Sequence, residues 1–392
     1  MNRRRRFSTR GGEVGAALTA VLVARLAVNG GIRVVYPFLP QIADGLGVSL
    51  ATLTVLLALR WIGPGVLAPV CARLTERWGS RRLMLAATVL VAAGCLLTVA
   101  PGWWAFAAVG FVAVGLGKPL FDVPMQSWFS RRVPYAERAR VIGITELTWG
   151  LSLLVTVPLS GYLIAGWSWR APFLLVAGLA LLGTLTVGRL IAADAAPARR
   201  RQPLVLTGAR RAVLGTVALF TMASELLFVR YASWLGDDLG LQVVGVGLFT
   251  LVFVAAELCG EGAVVALGDR LGPRRMATGA LLASAAVYLV FGLVGSAFFA
   301  AVLVVFCWLF CFEITIVATI PLVTGLAPEA RERLLALLLT ATAVGRATGD
   351  VLAGPLYELG GIGANGVAAA VTVLLAAGLL QFVPAPVLEP TA

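Results

Sequence analysis

Histidine is absent from the 392 residues. That removes the commonest metal ligand and the usual acid–base group of neutral pH, so any proton carrier has to be a carboxylate. Cysteine is sparse and odd in number: Cys71, Cys95, Cys259, Cys307 and Cys311 all lie in or beside apolar runs. Neither a disulfide framework nor a metal-ligand spacing emerges, and Cys307 and Cys311, one turn apart, read as small packing residues. No G-x-x-x-x-G-K-[ST] stretch is present, which disfavours a P-loop ATPase. Enzymes within membranes mostly lean on histidine, paired catalytic aspartates, or serine with a base. None of these clusters occurs, so an enzyme is not expected, and neither is a cofactor or a metal. Charge is scarce as well, at 13% of residues.

What is present is apolar side chain: 60% of the chain, with a mean hydropathy of +0.94. A soluble core does not need that much, but a protein with lipid as its solvent does. A membrane-crossing helix takes about 20 mostly apolar residues. Twelve such runs, rich in Leu, Ala and Val, fall at 14–37, 49–70, 81–100, 104–127, 141–164, 171–192, 212–235, 243–266, 276–295, 298–323, 333–357 and 363–384. The ten-residue alternation of a membrane barrel is missing. The expected class is therefore an all-α integral membrane protein. The opening "MNRRRRFSTRGGE" resembles the basic region of a signal peptide. The run after it is long, carries Arg25 and Arg33, and shows no small-residue cleavage site, so it is expected to remain as the first helix.

The net charge of +12 is unevenly spread. Alternate loops carry Arg3, Arg4, Arg5, Arg6 and Arg10; Arg73, Arg77, Arg81 and Arg82; Arg131, Arg132, Arg138 and Arg140; Arg189, Arg199, Arg200, Arg201, Arg210 and Arg211; Arg270, Arg274 and Arg275; and Arg331 and Arg333. These are 24 of the 31 basic residues, whereas the opposite loops hold only Arg170. This positive-inside pattern predicts a multi-pass protein of the plasma (inner) membrane with both termini cytoplasmic. No loop is long enough to form the continuous basic face that a nucleic-acid partner would need.

The chain also repeats itself. "TERWGSRR" at 75–82 matches "GDRLGPRR" at 268–275 with an offset of 193 residues, and Pro134, Arg140 and Gly161 recur near that offset at Pro328, Arg333 and Gly354. Asp122 likewise falls near Glu313. Several matches in order indicate a duplicated six-helix unit. Because six is even, both copies have the same orientation, related by an axis along the membrane normal. The expected organisation is a basic segment 1–13, a six-helix bundle 14–188, a cytoplasmic linker 189–211, a second six-helix bundle 212–384 and a tail 385–392.

Twelve helices in two sixes, a long basic central loop, and an acid-Arg-x-Gly-x-Arg-Arg loop after helix 2 and again after helix 8 resemble the major facilitator superfamily over the whole chain. Glu76 stands where that motif usually has aspartate, and Ala72 and Val265 stand where a glycine usually opens it. The resemblance implies a secondary transporter of a small molecule working by alternating access. It also implies that the loop residues Glu76, Arg77, Gly79, Arg81 and Arg82, with Asp269, Arg270, Gly272, Arg274 and Arg275, form a latch that stabilises the outward-open state. Physically, Gly79 and Gly272 permit a sharp turn with positive φ. The arginines can bind anionic lipid headgroups, or acids and helix C-termini of the other half.

Ionisable residues inside spans are costly and therefore functional candidates. Lys118 and Asp122, and again Arg346 and Asp350, are spaced to pair along one helix face. Arg25 is expected to snorkel to the cytoplasmic surface, and Arg230 to lie near the outer mouth. Arg33, Arg60, Glu146, Glu225, Glu257 and Glu313 have no opposite charge one turn away in their own helix, so their partners come from other helices, water or substrate. The superfamily's cavity-lining helices 1, 4, 7 and 10 would carry Arg33, Asp122, Glu225 and Glu313. Burial favours the neutral form of a carboxylate and a nearby arginine the charged form, so Asp122, Glu225, Glu257 and Glu313 all stand as proton-coupling candidates.

In helix 5, "GITELTWGLSLLVTVPLSGYLIAG", Gly143, Gly150, Pro158 and Gly161 resemble part of the glycine-proline signature of drug–proton antiporters, with Leu154 and Val157 departing from it. The arginine common in helix 4 of those antiporters has no counterpart near Val112. The expected function is proton-coupled efflux of a small organic or amphipathic molecule by a monomer. The alternatives are proton-coupled uptake of an anionic or zwitterionic metabolite, drawn from Arg33, Arg60 and Lys118, or a lipid or lysolipid transporter or scramblase on the same fold. Trp149 and Trp308 could line a chamber or anchor an interface; the interface is expected for Trp234.

Overall fold

The computed structural model describes residues 2–133, 135–193, 204–327 and 331–384, with side chains from residue 14 onward apart from scattered positions. Outside the described side chains lie the segment 1–13, much of the linker, the tail 385–392, and Ala72, Pro134, Arg138, Arg140, Gly143, Arg199, Arg200, Arg201, Asp269, Pro328 and Arg331. Every element among the described residues is helical.

Among the described residues, ten helices are individually long and apolar enough to cross a membrane. They yield twelve passes because one crossing is a shorter, interrupted helix and the last long helix holds two. Pass α1 is Asn2–Arg33, continued past a break by a 3₁₀ turn at Tyr36–Phe38 and a helix at Leu39–Leu46. Pass α2 is Leu50–Arg60 and Ile62–Trp78, α3 is Ser80–Thr98, and α4 is Ala105–Arg132. Pass α5 runs from Tyr135–Leu151 through a π turn at Ser152–Thr156 into Val157–Gly166, and α6 is Ala171–Leu190. Pass α7 is Gly208–Phe228 with Tyr231–Asp237, α8 is Val243–Phe249 with Leu251–Leu271, α9 is Pro273–Val290, and α10 is Phe298–Leu326. The helix Arg331–Leu380 breaks at Gly360 and Gly361, whose torsions are not helical, and so supplies α11 (331–359) and α12 (362–380).

The interruptions follow from proline. Pro37 offers no N–H to the Arg33 carbonyl, where α1 stops, and Pro64 offers none to the Arg60 carbonyl, where α2 breaks. Pro158 likewise leaves the Leu154 carbonyl unserved, and the turn before it widens to π geometry. Pro172 and Pro273, by contrast, sit in the first turns of α6 and α9, where no N–H is needed.

By Cα proximity the chain divides into residues 1–48 with 59–199, and residues 49–58 with 200–392. The division departs from the sequence-based boundaries at residues 49–58. Inside the first unit α3 packs on α4, α2 on α4, α1 on α6 and α3 on α6. Inside the second, α9 packs on α10, α8 on α10 and α9 on α12, and α7 packs on the helix that carries α11 and α12. The same pairings recur at a shift of six helices, as a duplicated unit requires.

Candidate functional site

Three helices of the first unit converge on a charge network centred on the buried Arg25, with Lys118 and Asp122 half-buried and Glu146 exposed. Arg25, Asn29 and Arg33 are spaced four apart on α1 and so share one face. Arg25 is 3% exposed and uses all three guanidinium nitrogens: Nε to Asp122 Oδ1 at 3.0 Å, Nη1 to the Thr145 carbonyl at 2.5 Å, and Nη2 to Glu146 Oε2 at 2.8 Å. Lys118, the chain's one lysine, donates to Asp122 Oδ2 at 2.6 Å and to Asn29 Oδ1 at 3.0 Å. Asn29 in turn reaches Thr148 on α5. The Trp149 ring carries two cations, Arg33 at 3.6 Å and Lys118 at 5.0 Å from its centroid.

The expected Lys118–Asp122 pair is therefore present, and Glu146 finds its partner on another helix. The expectation for Arg25 is corrected. It does not snorkel outward but joins α1, α4 and α5, because a guanidinium with two carboxylates and a carbonyl in reach is better satisfied inside than at the surface. The i, i+4, i+8 spacing of Arg25, Asn29 and Arg33 was the signal that pointed inward.

The second unit holds a separate tie. Glu225 on α7 is fully buried and accepts from Arg346 Nη1 on α11 at 2.8 Å. The Arg346 guanidinium lies 5.8 Å from the ring centroids of both Phe228 and Phe312. Glycine brings the two helices together: a Cβ at Gly349 would lie 2.6 Å from Glu225 Cβ, and one at Gly345 would strike the Ala218 carbonyl. Asp350, one turn from Arg346, is fully buried. Glu313 packs instead on α8, against Gly260, and Glu257 is half-buried on α8.

Two residues here escaped sequence reading. Asn365 on α12 is fully buried and donates to the Leu226 carbonyl at 2.7 Å and the Ala353 carbonyl at 3.0 Å, tying α12 to α7 and α11. Ser224 accepts the Trp308 indole N–H at 3.0 Å. The interface expected for Trp234 is also corrected: its side chain is fully buried, with its ring 5.5 Å from Phe291. Arg230 is likewise buried, 5.3 Å from the Tyr357 ring.

The charged loops have the torsions their glycines allow: Gly79 has φ 82° and ψ 154°, and Gly272 has φ 76° and ψ 151°. Arg81 donates to the Gly188 carbonyl at the end of α6, and Arg274 to the Gln381 carbonyl at the end of α12. Both donors and both acceptors are 193 residues apart, so the same hydrogen bond is made twice. Each bond lies within its own half, where the loop reaches the last helix of its own bundle. Arg131 ties α4 to the first loop through Ser80 at 2.7 Å. Arg77, Arg82, Arg270 and Arg275 are exposed, and Glu76 is half-buried.

Solved structures share the fold. A bacterial homolog of the human lysosomal transporter Spinster, inward-facing and unoccupied, superposes with a TM-score of 0.74 over 97% of this chain and 99% of that one, at 13% identity. Its occupied form gives 0.73 over 95% and 98%, at 14% identity. The Major Facilitator Superfamily profile matches residues 21–214. The chain has the major facilitator fold. Among curated proteins, the uncharacterized MFS-type transporter YwfA of Bacillus subtilis (strain 168) is 24% identical over 140 residues, 36% of this chain and 34% of that protein. The chain thus matches about a third of that relative's length. These relatives are transporters rather than enzymes, and the fold makes the chain a multi-pass membrane protein.

Proposed function

We propose that the protein is a secondary active transporter that moves a small organic or amphipathic solute by alternating access, driven by the proton gradient. The observation that carries this reading is the ionic network in which the buried Arg25 meets the half-buried Asp122 and the exposed Glu146, with the half-buried Lys118 on Asp122. Lipid-facing positions do not tolerate such a group, and buried ionisable residues in spans mark solute or proton paths. Asp122 faces Arg25 from α1 and Lys118 from its own helix, and Glu146 shares the Arg25 guanidinium from α5. A proton on either carboxylate releases a cation and shifts the balance between two open states. Glu225 opposite Arg346 offers the same device in the second bundle, while Glu257 and Glu313 are the remaining candidates.

Export by antiport is the direction favoured, on the glycine-proline pattern of α5 and its π turn before Pro158. Proton-linked uptake of an anionic metabolite is the second reading, favoured by the buried Arg60. The protein acts as a monomer in the inner membrane with both termini cytoplasmic, its loop arginines against anionic headgroups, and without cofactor.

The test is solute flux in proteoliposomes under an imposed pH gradient, with Asp122→Asn, Glu146→Gln, Glu225→Gln, Glu257→Gln and Glu313→Gln. At least one variant is expected to uncouple flux from the gradient. If all five remain coupled, the carboxylate mechanism fails. If lipids scramble without a gradient and no solute moves, the transporter reading fails.

A further inference from the structure

Arg60 is 1% exposed at the break in α2. Its Nη1 donates to the Ile32 carbonyl, in the last turn of α1 before that helix stops, at 2.9 Å. Nε and Nη2 have no hydrogen-bond partner among the described residues. These two nitrogens form one edge of the planar group. Their N–H bonds run parallel along it, the arrangement that receives both oxygens of a carboxylate or two of a phosphate. The Tyr36 and Trp61 rings lie with centroids 4.8 and 5.2 Å from the guanidinium carbon. Aromatic rings attract a cation but leave its in-plane donors unserved.

The position is built, not accidental. A Cβ at Gly115 would strike the Arg60 carbonyl oxygen and lie 2.9 Å from its Cγ, and one at Gly63 would lie 2.7 Å from the Leu116 nitrogen. Glycine thus lets α2 and α4 meet backbone to backbone around Arg60 and pins the stem. The chain also satisfies a buried guanidinium fully where it needs to: Arg25, equally deep, has an acceptor on every nitrogen. A guanidinium stays charged in proteins, and a buried charge with donors unmet is strongly unfavourable unless something arrives to meet them.

We infer that Arg60 is an oxyanion receptor, which takes a carboxylate or phosphate group of the solute side-on through Nε and Nη2 while Nη1 stays on Ile32. This rests on the transport reading and deepens it: the cargo is an organic anion. Binding cancels a buried charge, so the loaded bundle is more stable than the empty one.

The experiment is thermal shift and isothermal titration of the purified protein in detergent with benzoate, phenylphosphate, short-chain lysophosphatidate and neutral benzamide. The wild type is expected to bind at least one anion saturably and to ignore benzamide. Arg60→Gln abolishes that binding. Arg60→Lys keeps the charge but not the fork, and weakens it about tenfold or more. A response to lysophosphatidate alone assigns the oxyanion to a lipid headgroup, and a response to benzoate or phenylphosphate assigns it to a soluble solute; both support the receptor if Arg60→Gln removes them. The proposal is overturned if no anion binds the wild type, or if a monodisperse Arg60→Gln retains the affinity. Should the Gln variant fail to fold, unchanged affinity in Arg60→Lys overturns it equally. No gradient is involved, so the two readings fail separately. Arg60-dependent binding without flux in liposomes sinks transport alone. Flux of a cation or neutral amphiphile undiminished by Arg60→Gln sinks the oxyanion receptor alone.

Discussion

Glu225 on α7 and Arg346 on α11 pair at 2.8 Å, and Arg25 on α1 and Glu146 on α5 pair at 2.8 Å with the signs exchanged. Helices α7 and α11 are the repeats of α1 and α5, so one helix-to-helix tie occurs twice with opposite polarity. The ties are not copies. At the offset of 193, Glu225 corresponds to Ile32 and Arg346 to Leu153, each seven residues, or two turns, from Arg25 and Glu146. Each half has its own pair, at its own level.

In a double-mutant cycle on the second tie, Glu225→Gln removes the buried carboxylate from the half-buried Arg346 and is expected to cost about 3 kcal/mol. Arg346→Gln costs a similar amount, and the double variant costs well under the sum. Thermal unfolding in detergent reads all three; strict additivity would show that the two residues do not interact.

Arg25→Gln removes a side chain that pairs with both Asp122 and Glu146. The expected loss is again about 3 kcal/mol. A snorkelling arginine would leave stability unchanged, so an unmoved melting temperature returns Arg25 to the surface.

Gly79 and Gly272 occupy a torsional region open essentially to glycine alone. Alanine at either is expected to cost about 1–3 kcal/mol. Gly47, at φ 66° and ψ 33°, lies in the left-handed helical region, where alanine costs about 1 kcal/mol. The ranking is the test: Gly47→Ala as damaging as Gly79→Ala would contradict it.

Arg81→Ala and Arg274→Ala each remove a charge-assisted hydrogen bond to a terminal carbonyl, and Arg274→Ala also removes a longer one, 3.2 Å, to Gln381 Oε1. Similar losses, about 1.5 kcal/mol each, are expected, since the two bonds are equivalent by repeat. The losses should add in the double variant, because each bond closes a different bundle. A large shift in only one of them would mean that the symmetry of the contact is not a symmetry of energy.

Much of this was legible before any coordinates. Twelve passes followed from hydropathy, although α2 is too short and broken, and α11 and α12 too nearly continuous, to be counted by helix length. Lys118 and Asp122 could be paired by spacing alone, since neighbours four apart on a helix must meet. The Glu146 and Glu225 partners could not, because they depend on the rotation and approach of separate helices. Trp234 misled for the same reason: a tryptophan near a span end looks interfacial until a second helical segment, Tyr231–Asp237, turns it inward.

By itself the sequence determined the membrane class, the expected orientation, the duplication and the glycine turns, because hydropathy, loop charge, repetition and positive φ are properties of the chain taken along its length. Only the tertiary structure decided that Arg25 has an acceptor on all three nitrogens and Arg60 on one. Both are arginines in apolar helices; what separates them is which acceptors the neighbouring helices bring within about 3 Å, and that is fixed by packing.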